Sequence, residues 1–180
     1  MTFAISGRRY GGAAVLVFAW LTAAASAQQT APVPDWQHYH NERYGFHLDY
    51  PAGLFRPGPS PENADGLEFK TSDGKASIRA YGRFNVSQQT LQHLRAEELQ
   101  ERKGAVLTTD HAAGNSLVLS GFQQDVVFYL RVTLSNRSEV VNTLEIRYPR
   151  ELKTQLDVLV GTMSRSFRPG RSSWYPHCCL

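Results

Sequence analysis

Apolar residues occupy every second position over a nine-residue stretch in the second half of this 180-residue chain. They are Val126, Phe128, Leu130, Val132 and Leu134. Since successive side chains of a strand point to opposite faces of a sheet, this pattern indicates a long strand with one buried face. A polar turn follows at residues 135–138, and a second alternating set then comprises Val140, Asn142, Leu144, Ile146 and Tyr148. We expect an antiparallel hairpin whose two sets share one face.

Six other segments show the shorter alternating runs that are typical of strands. They are residues 36–40, 44–50, 67–71, 76–84, 106–111 and 117–122. Asp73-Gly74 lies between the third and fourth segments and predicts a hairpin turn in which both positions have φ above zero. The segment Pro57-Gly58-Pro59-Ser60-Pro61 can continue neither a helix nor a strand ladder, and it predicts a loop.

Between the fourth and fifth of these segments, the apolar spacing is helical. Ser87 can cap the helix, and Gly104 can end it. Its apolar stripe is thin and comprises Leu91, Leu94 and Leu99. Its charged residues are expected to form a solvated face, and they are Glu97, Glu98, Glu101, Arg102 and Lys103.

A second helix is predicted at the end of the chain, where Pro149 suits the first turn and Pro169-Gly170 stops the helix. One side of this helix is apolar and comprises Leu152, Leu156, Leu159, Val160 and Met163. Asp157 is expected on its outer, solvated side. The order ββββ-α-ββββ-α with tight turns predicts one α+β domain over residues 36–168, an antiparallel β-sheet with a mid-chain and a C-terminal helix packed on it.

The first 27 residues have the layout of a secretory signal peptide. Arg8 and Arg9 precede an apolar run from Gly11 to Ala24, and Ala25-Ser26-Ala27 suits signal peptidase. The apolar core is too short to span the ~30 Å of a bilayer. We therefore expect an exported protein, periplasmic or secreted, that starts at Gln28 and keeps no membrane anchor. The paired arginines leave both the Sec and the twin-arginine routes open.

Residues 28–35 are expected to be a linker, and residues 169–180 a flexible tail. The net charge of +3 includes Arg8 and Arg9, and without them 17 Lys and Arg face 16 Asp and Glu. A mature charge near +1 provides no basic field of the kind that nucleic-acid binding requires.

The segment Asn41-Glu42-Arg43-Tyr44-Gly45-Phe46-His47-Leu48-Asp49-Tyr50-Pro51 resembles the opening strand of PsbP-like domains. This family includes the photosystem extrinsic subunit and exported bacterial relatives, and this chain is most similar to the latter. The order of sheet, mid-chain helix, hairpin and C-terminal helix is also similar. The resemblance implies a sheet-and-helix sandwich that acts as a binding or assembly factor rather than as an enzyme.

One side of the predicted sheet carries cationic and phenolic side chains that could bind an envelope protein or an anionic ligand. The candidates are Arg79, Tyr81, Arg83, Tyr129, Arg131 and Arg147. Arginine and tyrosine are enriched at the binding hot spots of protein interfaces. The alternative is a solvated or helix-covered face with cross-strand Arg–Glu pairs, in which Thr143 and Glu145 lie on the same side.

A second class of function, a periplasmic metal-binding protein or an enzyme, would use His38 and His40 or the terminal thiols. His38 and His40 project from one face of a strand, with His47 or Asp49 opposite, and could bind zinc or copper. The alternative is two polar groups on an edge strand. The segment Glu62-Asn63-Ala64-Asp65-Gly66 could offer oxygen ligands to calcium, or it is a polar turn.

Cys178 and Cys179 are the two cysteines of the chain. Adjacent Cα atoms are ~3.8 Å apart, closer than a disulfide usually spans, so this pair cannot brace the core. Three interpretations of this end of the chain are open: an intermolecular disulfide, a soft-metal site with His177, and a dispensable tail. The sequence contains no Gly-x-Ser-x-Gly elbow, H-E-x-x-H motif or Walker loop, so we expect no cofactor, and catalysis would need groups assembled from distant loops.

Overall fold

The computed structural model describes residues 34–170, which form nine strands and two α-helices. In chain order they are β1 (Trp36–His40), β2 (His47–Pro51), β3 (Arg56–Pro57), β4 (Gly66–Lys70), β5 (Ser77–Phe84), α1 (Leu91–Glu101), β6 (Val106–Ala113), β7 (Ser116–Gln123), β8 (Val126–Ser135), β9 (Val140–Pro149) and α2 (Lys153–Ser166). The predicted signal peptide, most of the predicted linker and tail, and both cysteines lie outside the described residues.

All strand pairs are antiparallel, and seven strands form one sheet in the order β3-β4-β5-β9-β8-β7-β6. The first two strands pair separately as a hairpin. Two helices packed on an antiparallel sheet confirm the predicted α+β class. The turn between β4 and β5 differs from expectation: Gly74 has φ +69°, whereas Asp73 has no positive φ and instead accepts hydrogen bonds from Thr71 and Lys75.

The sheet is covered on both sides. On one side, here called the α2 face, lies a cluster of buried residues from the sheet, α2 and the β1–β2 hairpin, including Phe46, Leu48, Phe69, Ile78, Leu144, Ile146, Leu156, Val160 and Met163. On the other side, the α1 face, Leu94 of α1 packs with Leu117, Leu119, Phe128, Leu130, Val132, Leu134 and Val141. This burial of apolar surface on two sides is the main stabilising contribution to the fold.

The two apolar sets of the β8–β9 hairpin lie on opposite faces, so the prediction that they share one face is wrong. Phe128 lies opposite Arg147, and Leu134 lies opposite Val141. The reason is the loop, since Ser135 pairs with Val140 and four residues, 136–139, connect them. A loop of even length places each even-numbered residue of β8 opposite an odd-numbered residue of β9, and a one-residue difference exchanges the two faces of a strand.

Helix α1 begins three residues later than predicted. Its N-cap is Thr90, whose side chain accepts a hydrogen bond from the backbone N–H of His93, and not Ser87. Gly104 follows the helix with φ +85°, a conformation that glycine adopts without strain. Leu94 is fully buried, while Leu91 and Leu99 are partly buried. The apolar contact of this helix with the sheet is therefore small.

Helix α2 follows a 3-10 turn at Arg150–Leu152 and buries Leu156, Val160 and Met163. Asp157 is not a purely solvated residue, because it accepts a 2.6 Å hydrogen bond from the hydroxyl of buried Tyr148. Lys153 donates to its other oxygen. Burial raises the pKa of Asp157, but these two hydrogen bonds outweigh it, and the pKa is lowered overall. Within residues 34–170, no helix is long and apolar enough to cross a membrane.

Candidate functional site

The six residues predicted to form a partner surface lie on two different faces of the sheet. Arg79 and Arg83 lie opposite Glu145 and Val141 of β9, on the α1 face. The same face carries Tyr81 and Arg147, whereas the α2 face carries Tyr129 and Arg131. The prediction that all six share one side is wrong, and its cause is the even-length loop between β8 and β9.

Tyr129 and Arg131 hold helix α2 to the sheet. The hydroxyl of Tyr129 hydrogen-bonds to the hydroxyl of Ser164, and Arg131 Nη1 donates to the Ser164 carbonyl at 2.6 Å. Both side chains are partly buried. The helix-covered alternative therefore describes these two residues, and the candidate surface is reduced to the four residues on the α1 face.

On the α1 face, Glu145 is the centre of a group of ion pairs. Its carboxylate lies 2.8 Å from Nη2 of Arg102, and 3.6 Å from Nη1 of both Arg79 and Arg147. Only 9% of its side chain is exposed. The guanidinium of Arg79 also lies 5.4 Å from the ring of Tyr81, a cation–π distance. These cross-strand contacts fix the orientation of the arginine and tyrosine side chains.

Arg102 was expected on a solvated face, but it is 8% exposed and sits between α1 and the sheet. Besides Glu145, it pairs with Glu98 one turn earlier in the helix, and its guanidinium lies 5.4 Å from the Phe128 ring. Burial raises the pKa of Glu98, against the opposing effect of Arg102. Burial, together with the charges of Glu98 and Glu145, raises the pKa of Tyr81. No spacing in the sequence distinguishes Arg102 from its charged neighbours.

A groove of about 460 Å³ lies where the proline-rich loop between β3 and β4, residues 58–65, passes the α1 face of the sheet. Its lining includes Pro59, Pro61, Glu68, Arg79, Tyr81 and Arg83. This volume lies within the ~300–1,000 Å³ that is usual for ligand sites. The groove joins two regions that the sequence suggested separately, the arginine–tyrosine surface and the loop.

Hydrogen bonds hold the far end of the proline-rich loop against the domain. The amide of Asn41 donates to the Ala64 carbonyl at 3.1 Å, and the backbone N–H of Gly82 donates to the Asp65 carbonyl at 2.7 Å. Neither Gly82 nor Gly66 can be replaced by a residue with a side chain. A Cβ at Gly82 would lie within 2.7 Å of Tyr44, and a Cβ at Gly66 would lie 2.6 Å from Tyr81. The wall of the groove is therefore pre-formed, which lowers the entropic cost of binding.

The histidines of the first hairpin lie together on its outer face. His38 lies opposite Asp49, and Nδ1 of His38 is 2.7 Å from the carboxylate. His40 lies opposite His47, whose pKa is lowered by burial and by the neighbouring histidines His38 and His40. Among residues 34–170, no three potential metal ligands converge. The metal-binding alternative receives no support from this geometry.

The acidic segment at residues 62–66, the candidate calcium site, forms hydrogen bonds within itself and to Arg43. The Asn63 amide donates to the Asp65 carboxylate at 2.8 Å, and Arg43 donates to the Asn63 carbonyl. These contacts fit the polar-turn interpretation. Cys178, Cys179 and His177 lie outside the described residues.

The chain matches solved structures over most of its length. The solution structure of cyanobacterial PsbP (CyanoP) from Synechocystis sp. matches with a TM-score of 0.57 and 15% identity, over 81% of this chain and 98% of that one. The fold is PsbP-like. The Ran-binding protein Mog1p of Saccharomyces cerevisiae matches with a TM-score of 0.52 and 13% identity, over 77% of this chain and 97% of that one.

A mutant of Mog1 matches similarly, with a TM-score of 0.54 and 14% identity, over 77% of this chain and 98% of that one. No protein-family model and no curated protein sequence matches the chain. At these identities the likeness concerns the fold, and the predicted resemblance to PsbP-like domains is confirmed at that level.

Proposed function

We propose that the protein is an exported, non-catalytic binding or assembly module that binds an acidic, extended segment of an envelope protein in the groove beside the proline-rich loop. The observation that carries the proposal is the groove itself, since it combines a pre-formed wall with two arginines and a tyrosine. Export is supported by the signal-peptide layout of residues 1–27.

The charges of this region favour an anionic partner. Arg83 donates to the neutral amide oxygen of Gln89 at 2.7 Å. Arg79 shares the Glu145 carboxylate with Arg102 and Arg147. Two guanidinium groups are thus available to bind carboxylates, with which arginine forms bidentate hydrogen bonds.

The shape and the apolar content of the groove favour a peptide segment over a small ion. Pro59, Pro61 and the ring of Tyr81 provide contact area at low entropic cost, because prolines are rigid and tyrosine has few rotatable bonds. The acidic groups that line the groove are themselves engaged: Glu68 lies 2.9 Å from Lys70, and Asp65 accepts from Asn63. A carboxylate of the partner would therefore bind at Arg79 and Arg83 rather than beside Asp65 and Glu68.

The test is an NMR titration of the mature protein with a ten-residue oligoglutamate peptide. We expect amide shifts concentrated at residues 79–83 and in the proline-rich loop, and binding that weakens as salt is added. The double variant Arg79→Ala with Arg83→Ala should lower the affinity about tenfold or more, given ~1.5–3 kcal/mol for each charged hydrogen bond. Shifts spread evenly over the surface would contradict the proposal.

Arg165→Ala is the matched control, because Arg165 is an exposed arginine on α2, away from the groove. It removes one positive charge and should leave the shifts at the groove intact. A fall in affinity equal to that of Arg83→Ala alone would show that only the overall charge of the protein matters. Capture of envelope proteins by the wild type and by the groove variant would then identify the natural partner.

A further inference from the structure

The two edges of the seven-stranded sheet are protected very differently. One edge is β3, a strand of only two residues, Arg56–Pro57, that is followed by Pro59 and Pro61. Short edge strands and prolines prevent another chain from pairing with the sheet. The other edge is β6, which has eight residues, all of them exposed.

Strand β6 lacks most of the features that usually prevent pairing. Its sequence, Val-Leu-Thr-Thr-Asp-His-Ala-Ala, contains no proline and no lysine, and its one charged residue, Asp110, is bound by Arg95 of α1 with an Nε–Oδ1 distance of 2.7 Å. Val106 is 66% exposed. The one protective feature is an irregularity of the register between Leu107 and Thr109. Residues 109–113 beyond it pair regularly with β7, and all five are exposed.

We propose that β6 of one molecule pairs antiparallel with β6 of a second copy of the chain, so that two sheets join edge to edge around a two-fold axis at His111. An antiparallel pair of identical strands is related by an axis perpendicular to the sheet, which keeps each face on its own side. Residues that lie opposite each other must therefore both be even-numbered or both be odd-numbered. The axis then lies at a residue and not between two residues.

Each of the five residues of the regular segment fits this condition, but an axis at Thr109 or Ala113 would pair most of the segment with residues outside it. The charges and the length of the strand select one of the three interior positions. An axis at Asp110 would place Asp110 opposite its own copy, and like charges directly opposed are destabilising. An axis at Ala112 would pair Asp110 with Gly114, which lies in the turn after the strand. An axis at His111 pairs all five residues and places Asp110 opposite Ala112 of the second copy.

This register makes Ala112 the position at which charge decides association. Ala112→Glu places a carboxylate opposite Asp110 of the second copy at two symmetric sites, and we expect self-association at least about tenfold weaker. Ala112→Lys places an ammonium there, and we expect self-association as strong as in the wild type, or stronger. Ala96→Glu, on the exposed side of α1, introduces the same charge away from the edge and should change nothing.

The measurement is sedimentation velocity of the purified mature protein and of the three variants over a concentration series, with melting temperatures to verify folding. A second measurement is hydrogen exchange of the wild type, in which protection of residues 109–113 should rise with protein concentration. A wild type that stays monomeric up to about 1 mM overturns the proposal. This holds even if the edge is then found to bind an extended segment of another protein. Equal effects of Ala112→Glu and Ala112→Lys would overturn it as well.

Discussion

The contact of α1 with the sheet depends on one buried cation, so we expect Arg102→Met to cost about 3 kcal/mol in the free energy of unfolding. The substitution removes charge-assisted hydrogen bonds to Glu145 and to Glu98, each of which contributes ~1.5–3 kcal/mol. Methionine retains most of the aliphatic volume, so little cavity forms. Glu145 keeps Arg79 and Arg147 within 3.6 Å, which places the cost at the lower end of the ~3–5 kcal/mol typical of a broken buried pair.

The assay is equilibrium unfolding in urea, with hydrogen exchange of the α1 amides as a local probe. Arg147→Met is the matched control, because it removes an arginine from the same carboxylate at a position where the side chain is 39% exposed. We expect that control to cost less than about 1 kcal/mol. If Arg102→Met costs no more than the control, desolvation of the guanidinium cancels its ion pairs, and the reasoning about α1 is refuted.

Four further outcomes are expected. Phe128→Ala should cost about 3–5 kcal/mol in unfolding, because the ring is fully buried under α1. Asp157→Ala should cost about 1–2 kcal/mol, since it leaves the buried Tyr148 hydroxyl without an acceptor. Because the pKa of Asp157 is lowered in the folded protein, the part of this difference that comes from the charge of the carboxylate should be full above about pH 4 and be lost as the pH falls further, in thermal melts at stepped pH. Mass spectrometry of the exported fraction should find a chain that starts at Gln28, and deletion of residues 174–180 should leave the melting temperature unchanged.

The strands and the fold class could be predicted because period-two alternation depends only on which residues are apolar. Every strand that the sequence indicated is present, and the helix stripe with Leu94 is confirmed. Which residues of β8 and β9 share a face could not be predicted in the same way, because it depends on whether the turn between them has an even or an odd number of residues. Asn136, Arg137 and Ser138 all have positive φ, a conformation that is uncommon for residues other than glycine.

The site was harder to predict than the fold, because charged side chains carry no periodic signal of burial. Arg102 is one of five charged residues near the end of α1, and only the position of Glu145 on the sheet makes it a buried residue. The groove depends on the path of a proline-rich loop, which composition identifies as a loop without giving its direction. The arginines of β5 were found by residue type, but their separation from Tyr129 and Arg131 required the register.

The register also connects the proposed binding site with the stability of α1, because Glu145 serves both. On one side it accepts from Arg102, which holds the helix, and on the other it lies 3.6 Å from Arg79, which lines the groove. A carboxylate of a bound partner at Arg79 would compete with Glu145 for that guanidinium, and the Glu145 carboxylate would then interact more strongly with Arg102. If the proposed partner binds, binding at the groove and attachment of α1 would therefore be coupled through one carboxylate, and a coupling free energy of this kind acts equally in both directions.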